Sequence, residues 1–588
     1  MDGTNSIKVE RLTYTYPKSE EKVLADVSLE VKEGEFTVIM GRTGAGKTTL
    51  LMCLNGIIPQ LLEGEESGRI EVAGLDVSKY RVQTLARRIG LVMQDAETQV
   101  FGRSVEEDVA FGPRNYLVPR EEIFERVKEA LGRVRLAGYD KRSTHQLSGG
   151  EKQRLAIAGV LAMKPGILVL DEPTSELDPL GRDEIYATIA DLRREKGLTI
   201  VAVEHSSQEI AERADTVIVL SEGKIAWRGE PARFFRDVDL VEETGIKPIP
   251  VSILGRRLRE RGLIGRDEIP LNVDEANALV KRLLGGKRIA QPSTKAARGA
   301  EQPRQDGTDA RTPLVSVRDL VYEYGGGKRA IDGLSLDVYK GDFVALIGQN
   351  GAGKTTLAKH FNSILKPSSG SVRVCGIDAA KSEPEDLSRH IGYVFQNPDH
   401  QIFCQSVYKE LEYGLRNLEL PEDEIARRID KVLELTGLAK VRDEHPFSLG
   451  KGQRQMIAVA SILVLEPEIL VVDEPTTGLD WAGIRRMMDL VHRLHEAGTT
   501  IVMITHDMDI VSHHANRVVA MCHGRIILDG TPDEVFGAEE ELKAACVTPP
   551  EIVRLCAKLA GLGLDRVVTD ETELADIVAD SVQGVING

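Results

Sequence analysis

The chain has 588 residues, 42% hydrophobic and 28% charged, which is ordinary globular composition over more length than one core holds. A formal charge of −17 argues against a general nucleic-acid binder, and no apolar run approaches the roughly 20 residues that cross a bilayer. Six scattered cysteines without a C-x-x-C pair argue against a zinc site, an iron–sulfur cluster or a disulfide framework, and fit a reducing compartment.

In chain order, M-D-G-T-N-S at the start lacks the basic-then-apolar order of a secretory signal. F-T-V-I-M (36–40) is a short β-branched run of the kind buried in parallel sheets, and I-L-V-L (167–170) and T-I-V-A-V (199–203) are two more. Between the first two lies a long stretch with helical periodicity in its later half, for example E-E-I-F-E-R-V-K-E-A-L-G-R-V (121–134), which predicts a helical subdomain inserted in an α/β core. V-S-I-L-G-R-R-L-R-E-R-G-L (251–263) follows a proline turn and predicts a helical extension. Residues 287–312 are polar, contain Pro and Gly and have no apolar period, so a flexible linker is expected within 286–312. The whole pattern then recurs roughly 300 residues on, with strands V-A-L-I (344–347), I-L-V-V (469–472) and T-I-V-M-I (500–504) and an extension at 552–564. Two similar domains in tandem are expected, 5–285 and 313–588.

The chemistry sits at the ends of these strands. Each first strand runs into G-x-x-x-x-G-K-T and then a helix start, a phosphate cradle in which glycines 41, 44 and 46 free backbone N–H groups, Lys47 reaches phosphate oxygens and Thr48 holds magnesium. Gly348, Gly351, Gly353, Lys354 and Thr355 match them. The next strand ends in Asp171-Glu172, or Asp473-Glu474, one carboxylate suited to magnesium and the other to the attacking water. His205 and His506 close the further strand, where an imidazole could meet a γ-phosphate. A lone Asp-Glu or His at a strand end is usually only a strand meeting solvent; recurrence in register raises its weight.

L-S-G-G-E-K-Q-R before D-E-P-T-S-E-L-D, with Gln94 upstream, resembles the nucleotide-binding domain of ATP-binding cassette (ABC) proteins, and the likeness covers nearly the whole chain twice. It implies two tandem P-loop NTPase domains of α/β class that bind ATP and Mg²⁺ and hydrolyse ATP. By the same resemblance one site comprises Tyr16 on adenine, the loop residues Gly41, Arg42, Thr43, Gly44, Ala45, Gly46, Lys47, Thr48 and Thr49, then Gln94, Asp171, Glu172 and His205, closed by Ser448 and Gly450. The other comprises Tyr324, the loop Gly348, Gln349, Asn350, Gly351, Ala352, Gly353, Lys354, Thr355 and Thr356, then Gln396, Asp473, Glu474 and His506, closed by Ser148, Gly149 and Gly150. Gln94 and Gln396 join Thr48, Asp171, Thr355 and Asp473 as expected magnesium-side residues. The second signature reads F-S-L-G-K-G-Q-R, with Leu449 in the place of Gly149, so unequal sites are expected, the one closed by Ser448 being the slower.

Q-D-A-E-T-Q-V-F-G-R-S-V-E-E-D-V-A-F-G-P-R-N (94–115) and Q-N-P-D-H-Q-I-F-C-Q-S-V-Y-K-E-L-E-Y-G-L-R-N (396–417) resemble the ATPase subunits of energy-coupling factor (ECF) importers for vitamins and transition metal ions. That resemblance implies a fused, monomeric ATPase pair, peripheral on the cytoplasmic face of the membrane. Its partners would be a transmembrane coupling protein with arginine-bearing cytoplasmic helices and a small integral substrate-binding protein, with no nucleic acid. Asp95, Glu97, Glu106, Glu107, Asp108 and Asp399 are candidate contacts for those arginines. A soluble tandem ATPase acting on ribosomes or another non-membrane partner is the alternative.

Overall fold

The computed structural model describes residues 5–175, 177, 179–194, 197–289, 312–325 and 327–584. The chain forms two compact units, 1–249 and 250–588.

In the first unit a six-stranded sheet runs in the order Lys224–Gly229, Thr216–Ser221, Phe36–Gly41, Thr199–Val203, Ile167–Asp171, Ile89–Val92. Only the Lys224–Gly229 edge is antiparallel to its neighbour. The three strands expected from sequence are buried along their whole length, as strands covered on both faces must be. A four-stranded antiparallel sheet, Lys22–Lys32, Asn5–Thr15, Glu65–Val72 and Leu75–Asp76, adds a second layer. Its inward residues Ile7, Val9, Leu12, Leu29 and Val31 share one core with Ile39, Val169 and Val201.

The helical insert comprises Val105–Asn115, Arg120–Arg133 and Gly149–Leu161. Ser104 starts the first of these by accepting the Glu107 N–H at 3.3 Å, and Glu106, Glu107 and Asp108 place negative charge on its positive end. The helix expected over 121–134 is found one residue earlier at each end.

The second unit repeats both sheets with the same strand orders, its central strand being Phe343–Ile347 between Thr500–Ile504 and Arg517–Cys522. It also takes in the extension of the first half. Pro250–Glu260 lies against Glu571–Gln583, and Val273–Leu284 against Glu551–Leu559, the reciprocal pairing of an isologous contact. Val251, Leu254 and Leu258 are fully buried there, as are Leu555, Leu574 and Val578. Arg257 and Arg261 reach Asp576 at 3.0 and 2.8 Å, and Lys558 pairs with Asp274. Compactness therefore divides the chain at 249/250, whereas the sequence repeat points to 286–312. Of that expected linker, Ile289 is buried and its N–H donates to the Leu562 carbonyl at 2.8 Å; residues 290–311 lie outside the described residues.

Burial rather than charge should hold the paired extensions. Leu555→Ala is expected to cost about 2–5 kcal/mol, and Asp576→Ala, whose partners are about a third exposed, under about 1 kcal/mol. Calorimetry of the full chain checks the order: the Leu555 variant should lower the second unit's melting transition markedly more.

Candidate functional site

The C-terminal ends of adjacent strands assemble the site in each unit. Strand Phe36–Gly41 turns at once into the loop before the helix Lys47–Leu54. At Gly41 (φ 142°) a Cβ would stand 2.1 Å from the Leu220 carbonyl oxygen, and at Gly46 (φ 95°) 2.7 Å from that of Val23, so no larger residue fits either place. Gly348 and Gly353 are equally confined, 2.2 Å from the Met521 oxygen and 2.7 Å from that of Ala330. The Lys47 ammonium folds back over the loop and donates to the Gly41 and Arg42 carbonyls at 2.8 and 3.0 Å. Lys354 repeats this on Gly348 and Gln349, at 2.7 and 3.0 Å. Neither following helix has a side-chain cap, so its first-turn N–H groups face the loop, an arrangement that favours an anion. The expected adenine partners stand beside it: the Tyr16 hydroxyl is 3.0 Å from Thr49 Oγ1, and that of Tyr324 3.2 Å from Thr356 Oγ1.

Two strands away, Asp171 closes its strand almost fully buried with the Thr48 hydroxyl beside it, and its Oδ1 has no hydrogen-bond partner. Burial, with Glu172 beside it, pushes its carboxyl up to about 6, against the Thr48 hydroxyl and the Lys47 charge. A buried carboxylate with a spare oxygen next to a threonine hydroxyl is a donor set that suits a hard divalent cation. Asp473 is likewise raised by burial; Thr355 stands beside it, and the Tyr393 hydroxyl donates to its Oδ2 at 2.8 Å.

The adjoining glutamates carry a feature that the sequence pattern does not announce. Glu172 (φ 45°) and Glu474 (φ 49°) both adopt the left-handed conformation, rare for a residue with a Cβ. Each is held there by its N–H, which donates to Val203 at 3.0 Å or Ile504 at 2.9 Å on the neighbouring strand. The turn brings Glu172 Oε1 within 2.9 Å of His205 Nε2, and Glu474 Oε1 within 2.9 Å of His506 Nε2. The first contact has hydrogen-bond geometry; the second does not, and His506 Nε2 is buried without a hydrogen-bond partner. Thr477 donates to Glu474 Oε2 at 2.9 Å, whereas its counterpart Ser175 donates to the Glu172 carbonyl at 3.1 Å. The expected glutamines are less engaged: Gln94 reaches Ser175 Oγ at 3.4 Å and Gln396 is exposed.

Ser148 caps the helix Gly149–Leu161 in a reciprocal box with Glu151. In the second unit the helix begins only at Lys451, and the Ser448 hydroxyl donates to the His445 carbonyl at 2.7 Å. Leu449 is extended (φ −95°, ψ 156°), so it carries no backbone strain, and a Cβ at Gly149 would meet nothing closer than 3.8 Å. The two signatures thus differ in what their serine is bound to rather than in strain at the leucine.

The acidic residues singled out above are mostly spoken for. Asp108 is buried and accepts the Phe101 and Gly102 N–H groups at 2.8 Å; Glu106 pairs with Lys141, Glu97 with Lys152 and Asp399 with Arg454. Glu107 stays exposed. Aromatics were the missed signal. Phe101 and Phe111 stand at the surface with ring centres 5.9 Å apart, and their counterparts Phe403 and Tyr413 do the same at 4.8 Å. Four large apolar rings at matched exposed positions are unusual for solvent-facing surface.

Residues 24–175 and 331–477 match the ABC transporter family. A candidate ABC transporter ATP-binding protein of Caldanaerobacter subterraneus subsp. tengcongensis is 42% identical over 94% of this chain and 96% of its own length. One of Methanosarcina acetivorans is 41% identical over 96% and 92%. The solved structure of cbiO1 from Clostridium perfringens, described as part of the ABC transporter complex cbiONQ, is 40% identical over 39% of this chain and 93% of that one, with a TM-score of 0.36.

Asp171 yields a stability test with a definite sign. Its carboxyl lies above the ordinary value of 3.8, so its contribution to stability is present below that pH and is lost as pH rises through about 6. With nucleotide and divalent cations removed, Asp171→Asn should raise the first unit's melting temperature at pH 8, by the equivalent of up to about 3 kcal/mol, and less at pH 5. Calorimetry at the two pH values checks this; an equal gain at both would contradict it.

Proposed function

Because the chain belongs to the ABC transporter family of ATP-binding proteins, which hydrolyse ATP, we propose that it is the energy-coupling ATPase of an ECF-type importer for a vitamin or a transition metal ion. It would work with a transmembrane coupling protein and a small integral substrate-binding protein, peripheral on the cytoplasmic face of the membrane. No helix among the described residues is long and apolar enough to cross a membrane. The observation that carries the reading is the recurring segment 94–115 and 396–417. Its sequence resembles that of ECF ATPases in both halves, and in both it exposes two aromatic rings within the segment that begins at the site's glutamine. Aromatic pairs in such positions are the usual anchors of a protein interface.

In the proposed chemistry Lys47 and Lys354, now on loop carbonyls, turn to phosphate oxygens, and N–H groups of the loop and helix start hold the phosphates. Tyr16 and Tyr324 pack on adenine. Thr48, Gln94 and Asp171, and Thr355, Gln396 and Asp473, would hold Mg²⁺, which when bound would neutralise charge on the transferred phosphoryl group. Glu172 and Glu474 orient the attacking water and draw its proton, each steadied by its histidine 2.9 Å away. Ser148, Gly149 and Gly150, and Ser448 and Gly450, complete the two sites. The repeat-based halves 5–285 and 313–588 remain our proposed division into nucleotide-binding cassettes.

Two outcomes are expected. Affinity purification of the chain from gently solubilised native membranes should recover a coupling membrane protein and a small integral protein, and Phe101→Ala with Phe403→Ala should lose them while leaving the ATPase activity of the isolated chain intact. Recovery of ribosomes alone would overturn the importer reading. Glu172→Gln and Glu474→Gln should remove unequal shares of steady-state turnover, the smaller with Glu172→Gln; equal losses would contradict unequal sites.

A further inference from the structure

One buried carboxylate near the first site has no counterpart in the second. Glu204, the residue before His205, is only 3% exposed. Thr174 Oγ1 lies 2.9 and 3.1 Å from its two carboxylate oxygens, and the backbone N–H of His205 donates to Oε2 at 3.2 Å. Thr174 belongs to the turn that follows Glu172, so a single side chain ties that turn to the strand end bearing His205, whose ring meets Glu172 Oε1. Tyr186, from the helix Pro179–Arg194, is buried beside the pair, with Arg213 over its ring. In the second unit Thr505 stands in the place of Glu204 and Met488 in that of Tyr186, so the polar strut is absent there.

A carboxylate removed from water is costly unless fully hydrogen-bonded, and this one sits where an uncharged residue serves in the other half. It is also a poor choice for mere packing, because Thr505 shows that a smaller neutral side chain completes the same strand end. We propose that Glu204 is a positioning residue particular to the first nucleotide site, holding His205 and the Glu172–Ser175 turn in the geometry needed for ATP hydrolysis. This rests on the ATPase assignment above.

The charge state of the strut decides what it does. Both observed partners donate to it, as an ionised carboxylate requires; protonated, one oxygen becomes a donor and an acceptor is lost. Around Glu204 stand Thr174 and Tyr186, with Glu172 opposing its charge and His205 favouring it, and Arg182, Glu209 and Arg213 lie around Tyr186. Burial outweighs the hydrogen bonds, and the carboxyl is pushed up to about 7.

The test uses the full chain carrying Glu474→Gln, so that turnover reports the first site, with Mg-ATP binding followed separately by equilibrium titration. In that parent, kcat should rise through an inflection near pH 7. Glu204→Gln, which keeps size but cannot ionise, should lose the inflection and stay at the low-pH rate, with ATP affinity changed less than twofold. The mirror change, Thr505→Glu in a Glu172→Gln chain, should introduce an inflection at the second site. An unaltered pH profile in Glu204→Gln, with binding intact, would overturn the role of Glu204 alone. A parent chain that binds no ATP would overturn the ATPase reading and the proposal with it.

Discussion

Everything at the site depends on the approach of one glycine to a neighbouring strand. The Gly41 α-carbon is pressed against the Leu220 carbonyl, and Gly348 against that of Met521, so tightly that no side chain could be accommodated. That contact locks the start of the loop to the sheet, which in turn fixes the two carbonyls that hold the lysine ammonium. The strand order does the rest. With Phe36–Gly41 beside Thr199–Val203, and that beside Ile167–Asp171, the loop, the histidine and the carboxylate pair emerge at successive strand ends of one sheet edge. This is the edge at which parallel α/β sheets bind ligands, because loops and helix starts converge there.

The sequence revealed that edge well, because each of its parts is local. A glycine-rich loop, an apolar strand ending in Asp-Glu and another ending before His are short patterns, and their recurrence supplied the confirmation that one copy would lack. What stayed hidden was non-local or conformational. Nothing in the letters D-E-P-T shows that Glu172 and Glu474 take positive φ, since that depends on an N–H bond to the adjacent strand. Asp108 reads as one more exposed acid of an amphipathic helix, yet it folds inward to cap two N–H groups. The reciprocal packing of the two extensions brings together residues more than half the chain apart, as with Arg257 and Asp576, which no periodicity encodes.

The altered signature shows why a substitution has to be weighed by its backbone. Replacing a glycine is costly when φ is positive or a carbonyl is near, as at Gly41; Gly149 has neither constraint, and Leu449 sits in ordinary extended geometry. The consequence lies next door, where the helix start slips to Lys451 and the serine hydroxyl turns to a carbonyl instead of capping. A hydroxyl already donating to protein has to be released before it can donate to a phosphate, and that release is an energetic difference between two otherwise matched loops.

A duplicated domain in one chain is free to let its copies diverge, because each change is inherited in a fixed place rather than averaged over identical subunits. Gly41, Gly44, Gly46, Lys47, Thr48, Asp171, Glu172 and His205 recur at the second edge, and beyond the loop pairs Arg42/Gln349 and Thr43/Asn350 and the signature pair Gly149/Leu449 the differences include residues that hold these groups: Ser175 against Thr477 under the glutamate, Leu91 against Tyr393 on the aspartate, Glu204 against Thr505 beside the histidine. Groups that touch substrate are constrained by its geometry, which is the same at both edges. Their supports are constrained only to place them, and several chemistries achieve that with different charge and different stiffness. Two edges that share these groups and differ in their supports therefore differ in the charge and stiffness behind each shared group.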